Sequence, residues 1–291
     1  MKIAILGARG MLGRDLGDIC RAAGHETVEY DLPGLDLTDP PWVFRTIPKC
    51  DWVVNCAAYT DVDGAQSHRG EAFAVNCDGA RNVARACARK RIRLLHISTD
   101  YVFNGYRSTP YSENDEPDPI NIYGASKLAG EKAVKGEGGR YAIVRTQALF
   151  GRHGHNFVKA VIRLLQQKDS VGVVVDQVTC PTYTRHLAEA IERLLQLDVT
   201  GVVHVSAEGE CSWYRFAREI ASCVRPAVEI KPITSVDLGR PAPRPPYAVL
   251  DKKRFTLLTG RKMPHWQQGL HEYLREEGLL PGERAAGDEN R

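Results

Sequence analysis

The sequence predicts an α/β fold built on a doubly wound parallel sheet, and three observations carry that expectation. Short apolar runs of strand type alternate with helical stretches through the first half of the chain. The first run, Lys2-Ile-Ala-Ile-Leu6, passes at once into Gly7-Ala-Arg-Gly10-Met-Leu-Gly13 and a helical stretch to about Ala23. The joining segments are short, which implies βα units wound by right-handed crossovers, with ligands beyond the carboxyl ends of the strands.

The glycines of the first loop serve different ends: one allows a tight turn, one leaves room for backbone to approach a pyrophosphate, and one lets helix pack closely on strand. A glycine string alone is weak evidence, and the strand-turn-helix setting is what makes it a Rossmann-type dinucleotide loop. His25 to Tyr30 reads as a second strand ending in Asp31, where a carboxylate accepts hydrogen bonds from an adenosine ribose. A solvated strand-end aspartate is the plainer alternative. Arg9 in the loop offers a guanidinium to a 2′-phosphate, so both NADPH and NADH remain open as cofactor.

Further along, Asp51 to Asn55 is a strand, Glu71 to Ala88 a helix, Arg93 to Ile97 a strand, Tyr123 to Val134 a helix, and Tyr141 to Arg145 a strand. Three loops then follow strands: Gly7 to Gly13, Cys56 to Thr60, and Ser98 to Phe103. The polar stretch Asn104 to Asn121 reads as a lid or bridge. Tyr123 and Lys127, four residues apart, share one helix face, which brings an ammonium near a phenol. A free phenol titrates near ~10, and a neighbouring cation lowers it toward the range of a useful general acid or base. Many surface helices carry such a pair, so the spacing needs company. Ser98-Thr99-Asp100 supplies it, with Thr99 standing 24 residues before Tyr123.

After Phe150 the pattern changes. Asn156 to Gln167 is an amphipathic helix, Val171 to Val175 a strand, Arg185 to Leu195 a helix, and Val202 to Ser206 a strand that returns to the main sheet. The expected organisation is a Rossmann domain over 1–146, rejoined by about 170–206. A smaller mixed α/β substrate-binding domain comes from 147–169 and 207–280, and 281–291 is a flexible tail. Arg240 to Pro246 reads as a fixed extended segment offering a guanidinium at a cleft, or as a linker.

Composition excludes several classes. Among 291 residues, 39 basic side chains stand against 36 acidic ones, which leaves no electrostatic footprint for nucleic acid. No apolar stretch approaches the ~20 residues of a membrane span. Met1 leads directly into a strand, leaving no place for a signal peptide. The eight cysteines form no C-x-x-C pair and do not cluster with histidine, so they read as reduced thiols of a cytoplasmic protein, with no metal site.

Taken together, these motifs resemble the dTDP-4-dehydrorhamnose reductases of the extended short-chain dehydrogenase/reductase superfamily, nearly end to end. The segments that carry the resemblance are Gly7 to Gly13, Val54 to Asp63, Ala74-Val-Asn76, Ser98 to Gly105, Tyr123 to Glu131, Asp176-Gln177 with Pro181-Thr182, and Arg244-Pro245 with Leu250-Asp251. The resemblance implies NAD(P)H-dependent reduction of the 4-keto group of a dTDP-4-keto-6-deoxy sugar, giving dTDP-L-rhamnose. It assigns proton donation to Tyr123, tuning of that phenol and a grip on the nicotinamide ribose to Lys127, and aim of the keto oxygen to Thr99. It places Gly7, Gly10, Met11, Leu12, Asp31, Asp36, Leu37, Ala58, Tyr59 and Thr60 at the cofactor, and Val62, Thr99, Asp100, Asn156 and Arg244 at the sugar nucleotide. A core role is the alternative for Met11, Leu12 and Leu37, and a solvated arginine for Arg244.

The family's dehydratase relatives carry a second carboxylate after the threonine's aspartate, where this chain has Tyr101. The alternative of another class is a non-catalytic, nucleotide-binding regulatory subunit. Some relatives dimerise around magnesium, and a homodimer is open here. Ala148 stands where the family commonly has an aromatic, Thr179 where glycine is usual, and Tyr247-Ala248 where Asn-Ser is usual. A different nucleotide deoxysugar is therefore a live expectation.

Overall fold

The structure is a computed structural model and describes residues 1–280. The expected tail lies outside the described residues. The strands in chain order are β1 (Lys2–Leu6), β2 (Glu26–Tyr30), β3 (Trp52–Asn55), β4 (Arg93–Thr99), β5 (Tyr141–Thr146), β6 (Leu149–Phe150), β7 (Ser170–Val174), β8 (Val178–Thr179), β9 (Thr182–Tyr183), β10 (Gly201–His204), β11 (Cys211–Ser212) and β12 (Glu229–Ile233). Six form one parallel sheet in the order β2-β1-β3-β4-β5-β10. From β1 the chain steps to one side for β2 and then returns to the other for β3. That reversal opens a crevice beyond the carboxyl ends of β1 and β3.

Apolar side chains cover both faces of this sheet, as a parallel sheet requires. Alternation sends Ile3 and Ile5 to one face and Ala4 and Leu6 to the other. The first pair packs with Leu16 of the helix Met11–Ala22 and with Leu187, Ile191 and Leu194 of the helix Thr184–Gln196. The second pair packs with Val83, Ala84 and Cys87 of the helix Ala80–Lys90. Full burial of each such Leu, Ile or Val contributes roughly 1.5–3 kcal/mol.

Two expectations change. The stretch Glu71 to Ala88 is not one regular helix. An α-helical turn, Arg69–Phe73, passes into a π-helical segment, Ala74–Gly79, before α geometry resumes. Such insertions recur at functional positions, and this one carries Asn76. Its Oδ1 accepts from the Tyr59 amide at 2.9 Å, while its Nδ2 donates to the Tyr59 carbonyl at 3.0 Å and to Ser126 Oγ at 2.9 Å.

The second change concerns the expected return to the sheet over 170–206. The helix Thr184–Gln196 and β10 do return, whereas β7 pairs with β12 in a separate two-stranded sheet. Conversely, Phe255 and Met263, from the segment assigned to the smaller module, fill the core of the large sheet. The smaller module has its own core of Phe150, Val158, Leu165, Phe216, Trp266 and Tyr273.

Candidate active site

A cleft of about 1130 Å³ lies over the reversal point and is walled by both modules. On the dinucleotide side it is lined by Gly7, Gly10, Met11, Leu12, Asp31, Asp36, Leu37, Ala58, Tyr59 and Thr60, all named from the sequence. Gly7 has φ +75°, and a Cβ there would lie 2.6 Å from the Ala57 amide nitrogen. Backbone of the turn after β1 thus lies against backbone after β3, an approach only glycine permits. Gly10 begins the helix Met11–Ala22 without a side-chain cap, so the positive helix end meets the cleft free for an anion. These features fit a pyrophosphate. Leu12 and Leu37 are also core residues, packed in the two clusters that sandwich the sheet.

Asp31 ties the glycine turn to the end of β2, accepting from the Arg9 amide and from the Leu32 amide, each at 2.8 Å. The Arg9 guanidinium donates to the Leu32 carbonyl at 3.3 Å. Carboxylate and guanidinium therefore flank the same end of the cleft. Asp36 closes a local turn, accepting from both the amide and the hydroxyl of Thr38.

At the other end, the helix Ile122–Gly136 starts at Asn121, whose side chain accepts from the Gly124 amide at 2.7 Å. This cap fixes where Tyr123 and Lys127 enter the cleft. The phenol is not lowered as the Tyr123/Lys127 spacing predicts: burial pushes Tyr123 up to about 12, and what opposes it is a hydrogen bond with Thr99. The Lys127 ammonium is buried and donates to the Ile97 carbonyl at 2.7 Å. Burial lowers it to about 8, against the pull of Glu131. Thr99 Oγ1 donates to Asp100 Oδ1 at 2.9 Å and accepts from the Tyr101 amide at 3.1 Å. Burial raises the Asp100 carboxyl to about 7. The Tyr101 ring meets the Tyr123 ring edge-on with centroids 5.7 Å apart.

On the substrate side, Val62, Thr99 and Asp100 line the cleft, while Asn156 and Arg244 are not in its wall. Asn156 caps the helix Phe157–Gln167, accepting from the Lys159 amide and donating to the Gly151 carbonyl. Asparagine before an apolar helical run is a capping signal, and Asn156 carries it out here. Arg244 is engaged by Asp63 in a two-pronged pair, with both N···O distances 2.9 Å. Asp63 also accepts from the Ala242 amide and from Arg240, so one carboxylate pins the strap 240–246. The strap still reaches the cleft through Pro245.

Ala148, Thr179 and Ala248 do line the cleft, whereas Tyr247 turns away to donate to Glu210 at 2.7 Å. Gln147 and Trp213 are wall residues the sequence did not announce. Trp213 packs on Phe157 with centroids 4.5 Å apart. It reaches the cleft because β11, just before it, pairs with β8, a contact that no local pattern encodes. Outside the cleft wall, the side-chain ligand atoms of Glu219, Cys223 and His271 lie within 4.8 Å of one another. The His271 to Glu219 contact of 3.2 Å accounts for two of the three.

A nucleotide cradle at a strand reversal, facing a phenol and an ammonium carried by one helix, defines the class as NAD(P)-dependent oxidoreductases of the short-chain dehydrogenase type. The chain belongs to the family described as the RmlD substrate binding domain, whose model matches residues 1–278. It is 40% identical over 276 residues to a dTDP-4-dehydrorhamnose reductase of Mycobacterium tuberculosis (strain ATCC 25618 / H37Rv), covering 92% of this chain and 91% of that protein. It is 38% identical over 273 residues to a dTDP-4-keto-6-deoxy-D-glucose reductase of Streptomyces niveus, covering 91% and 94%. The crystal structure of a dTDP-4-dehydrorhamnose reductase from Bacillus anthracis str. Ames in complex with NADP superposes with a TM-score of 0.90. That pair is 38% identical, covering 94% of this chain and 99% of the other. The family expected from the motifs is thereby borne out.

Proposed function

We propose that this protein uses NADPH or NADH to reduce the 4-keto group of a dTDP-4-keto-6-deoxy sugar, dTDP-4-dehydrorhamnose giving dTDP-L-rhamnose. The observation that carries the reading is that one cleft holds both the glycine turn after β1 and the set Thr99, Tyr123 and Lys127. The M. tuberculosis and B. anthracis relatives bear the name of that reaction, and the B. anthracis structure contains NADP.

The residues divide the work as follows. A reduced nicotinamide held there supplies the hydride. Thr99 and Tyr123 present neighbouring hydroxyls to the carbonyl oxygen, and Tyr123 gives it a proton as it becomes an alkoxide. A phenol raised to about 12 stays protonated at neutral pH, the form that a reductase needs before the step. The charge left on Tyr123 afterwards is what the Lys127 ammonium offsets. The paired carboxylates of a dehydratase are absent, since Tyr101 follows Asp100. Residues 147–169 and most of 207–280 supply the sugar-nucleotide side in this reading.

Steady loss of reduced-nicotinamide absorbance with dTDP-4-dehydrorhamnose, and a deoxysugar product identified by NMR, tests the proposal. Tight cofactor binding without turnover of any 4-keto sugar overturns it in favour of a regulatory subunit. A second reading, reduction of a different nucleotide deoxysugar, is favoured by one observation: the small Ala148 lines the cleft. A panel of dTDP- and UDP-4-keto sugars decides between them. No helix among the described residues is long and apolar enough to cross a membrane. The proposal includes a cytoplasmic location and a homodimer, the latter tested by sedimentation.

A further inference from the structure

The helix face that carries Tyr123 and Lys127 continues one more step to Glu131, which is fully buried. Its carboxylate accepts three hydrogen bonds: from Ser98 Oγ at 2.6 Å, Arg145 Nε at 2.8 Å and Arg145 Nη2 at 2.7 Å. Ser98 and Arg145 are register partners on adjacent strands β4 and β5. Each directly precedes a cleft residue, Thr99 or Thr146. Arg145 is itself held, 5.1 Å from the Phe103 ring centroid and 3.4 Å from His204 Nε2. A buried charge without partners is very costly, and a buried pair brings little net stability over an apolar replacement. The position of this pair, behind the reacting groups, points to a use beyond stability.

We propose that Glu131, clamped by Ser98 and Arg145, is a positioning residue that locks the Tyr123/Lys127 helix face to the ends of β4 and β5 and sets a negative charge facing the Lys127 ammonium. The inference rests on the reading of the chain as a reductase. One carboxylate joins the three elements that deliver Thr99, Tyr123 with Lys127, and the Thr146 to Ala148 wall. The charged and titratable groups that bear on Lys127 are Glu131 on its own helix, Cys56 after β3 and His96 on β4, with Tyr123 one helical turn away. Of these, Glu131 leads in favouring the ammonium over the neutral amine. Arg145 supplies the opposite charge that a buried carboxylate requires.

The test compares Glu131→Gln, Glu131→Asp and the double variant Glu131→Gln/Arg145→Met with the wild type. Two readouts are used: the pH profile of kcat, and the titration of Lys127 followed by NMR of isotope-labelled lysine in the protein without ligands. For Glu131→Gln, kcat falls by roughly tenfold or more through misplacement of the donor, with KM within about a factor of two. The alkaline limb of the profile and the Lys127 titration both move to lower pH. Glu131→Asp keeps the charge, so the titration stays close to that of the wild type although kcat falls. The double variant leaves no unpaired charge and stands in if Glu131→Gln fails to fold. It too loses kcat and titrates Lys127 at lower pH. A folded variant with lower thermal stability alone, and with wild-type kcat and Lys127 titration, overturns the inference. Absence of turnover by the wild type itself overturns the reductase reading instead, and the NMR titration still judges Glu131.

Discussion

Replacing Gly7 by alanine isolates the physical demand of the nucleotide turn. An L residue in the left-handed region costs roughly 1–2 kcal/mol, offset by about 0.4–1 kcal/mol because alanine restricts the unfolded chain more than glycine does. At Gly7 the new methyl would also lie 2.6 Å from Ala57 N, 2.8 Å from Ala57 Cα and 2.9 Å from the Cys56 carbonyl carbon. All three are backbone atoms and cannot rotate away. Overpacking of that kind adds about 1–3 kcal/mol, for a total near 2–4 kcal/mol. Gly24 provides the control, with φ +78° and nothing within 4 Å of an added methyl. Gly24→Ala therefore costs only about 1 kcal/mol. At roughly 2–4 °C per kcal/mol, Gly7→Ala lowers Tm by about 4–16 °C and Gly24→Ala by about 2–4 °C. Calorimetry measures both, and fluorescence titration with NADPH follows the cleft. Affinity weakens for Gly7→Ala and not for Gly24→Ala, because only the first pushes apart the turns after β1 and β3. Equal Tm losses and equal affinities in the two variants would refute the steric argument.

Other predictions follow from the same geometry. Tyr123→Phe lowers kcat by roughly 10²–10⁴-fold while leaving NADPH affinity within a few-fold, measured by steady-state kinetics beside a binding titration. Asp63→Asn frees the strap 240–246, raising KM for the sugar nucleotide several-fold with little change in kcat. Arg244 holds the Asp63 carboxyl below its ordinary value, so the pair's contribution to stability is present above about pH 4 and lost as pH falls further. His204 is buried with its pKa lowered from 6.5 to about 3. The unfolded chain binds the proton more readily, so folding stability declines as pH drops below about 6.5, by roughly 2 kcal/mol at pH 5 for this one group. Denaturant melts of His204→Gln against wild type across that range show a shallower slope for the variant.

Much of the nucleotide half was legible because its signals are local. Lys2 to Leu6, Gly7 to Gly13 and the Tyr123/Lys127 spacing each fit within one element and its flanking turn, and the structure places them together. The π-helical segment at Ala74–Gly79 left no trace in the hydrophobic period, because its purpose is the bond from Asn76 to a loop 17 residues earlier. β7 has the look of a strand but gives no sign of its partner, and pairing with β12 depends on a chain segment 59 residues away. Arg244 shows the same limit. A guanidinium beside prolines reads as a ligand contact, and only the fold brings Asp63, 181 residues distant, to occupy it. For Asn156 the local capping signal was present in the sequence, and the cap is what the fold shows.

The core of the large sheet spans the chain from Ile3 to Met263. During synthesis, β1 to β5 leave the ribosome well before the helix Thr184–Gln196, Phe255 and Met263, which share with the early helix Met11–Ala22 the cover of one face of the sheet, and before the edge strand β10. The nascent chain to β5 therefore waits with part of that apolar face open, a state prone to aggregation. A chain cut after residue 146 makes that state permanent, so residues 1–146 expressed alone are expected to aggregate, which light scattering of the fragment checks.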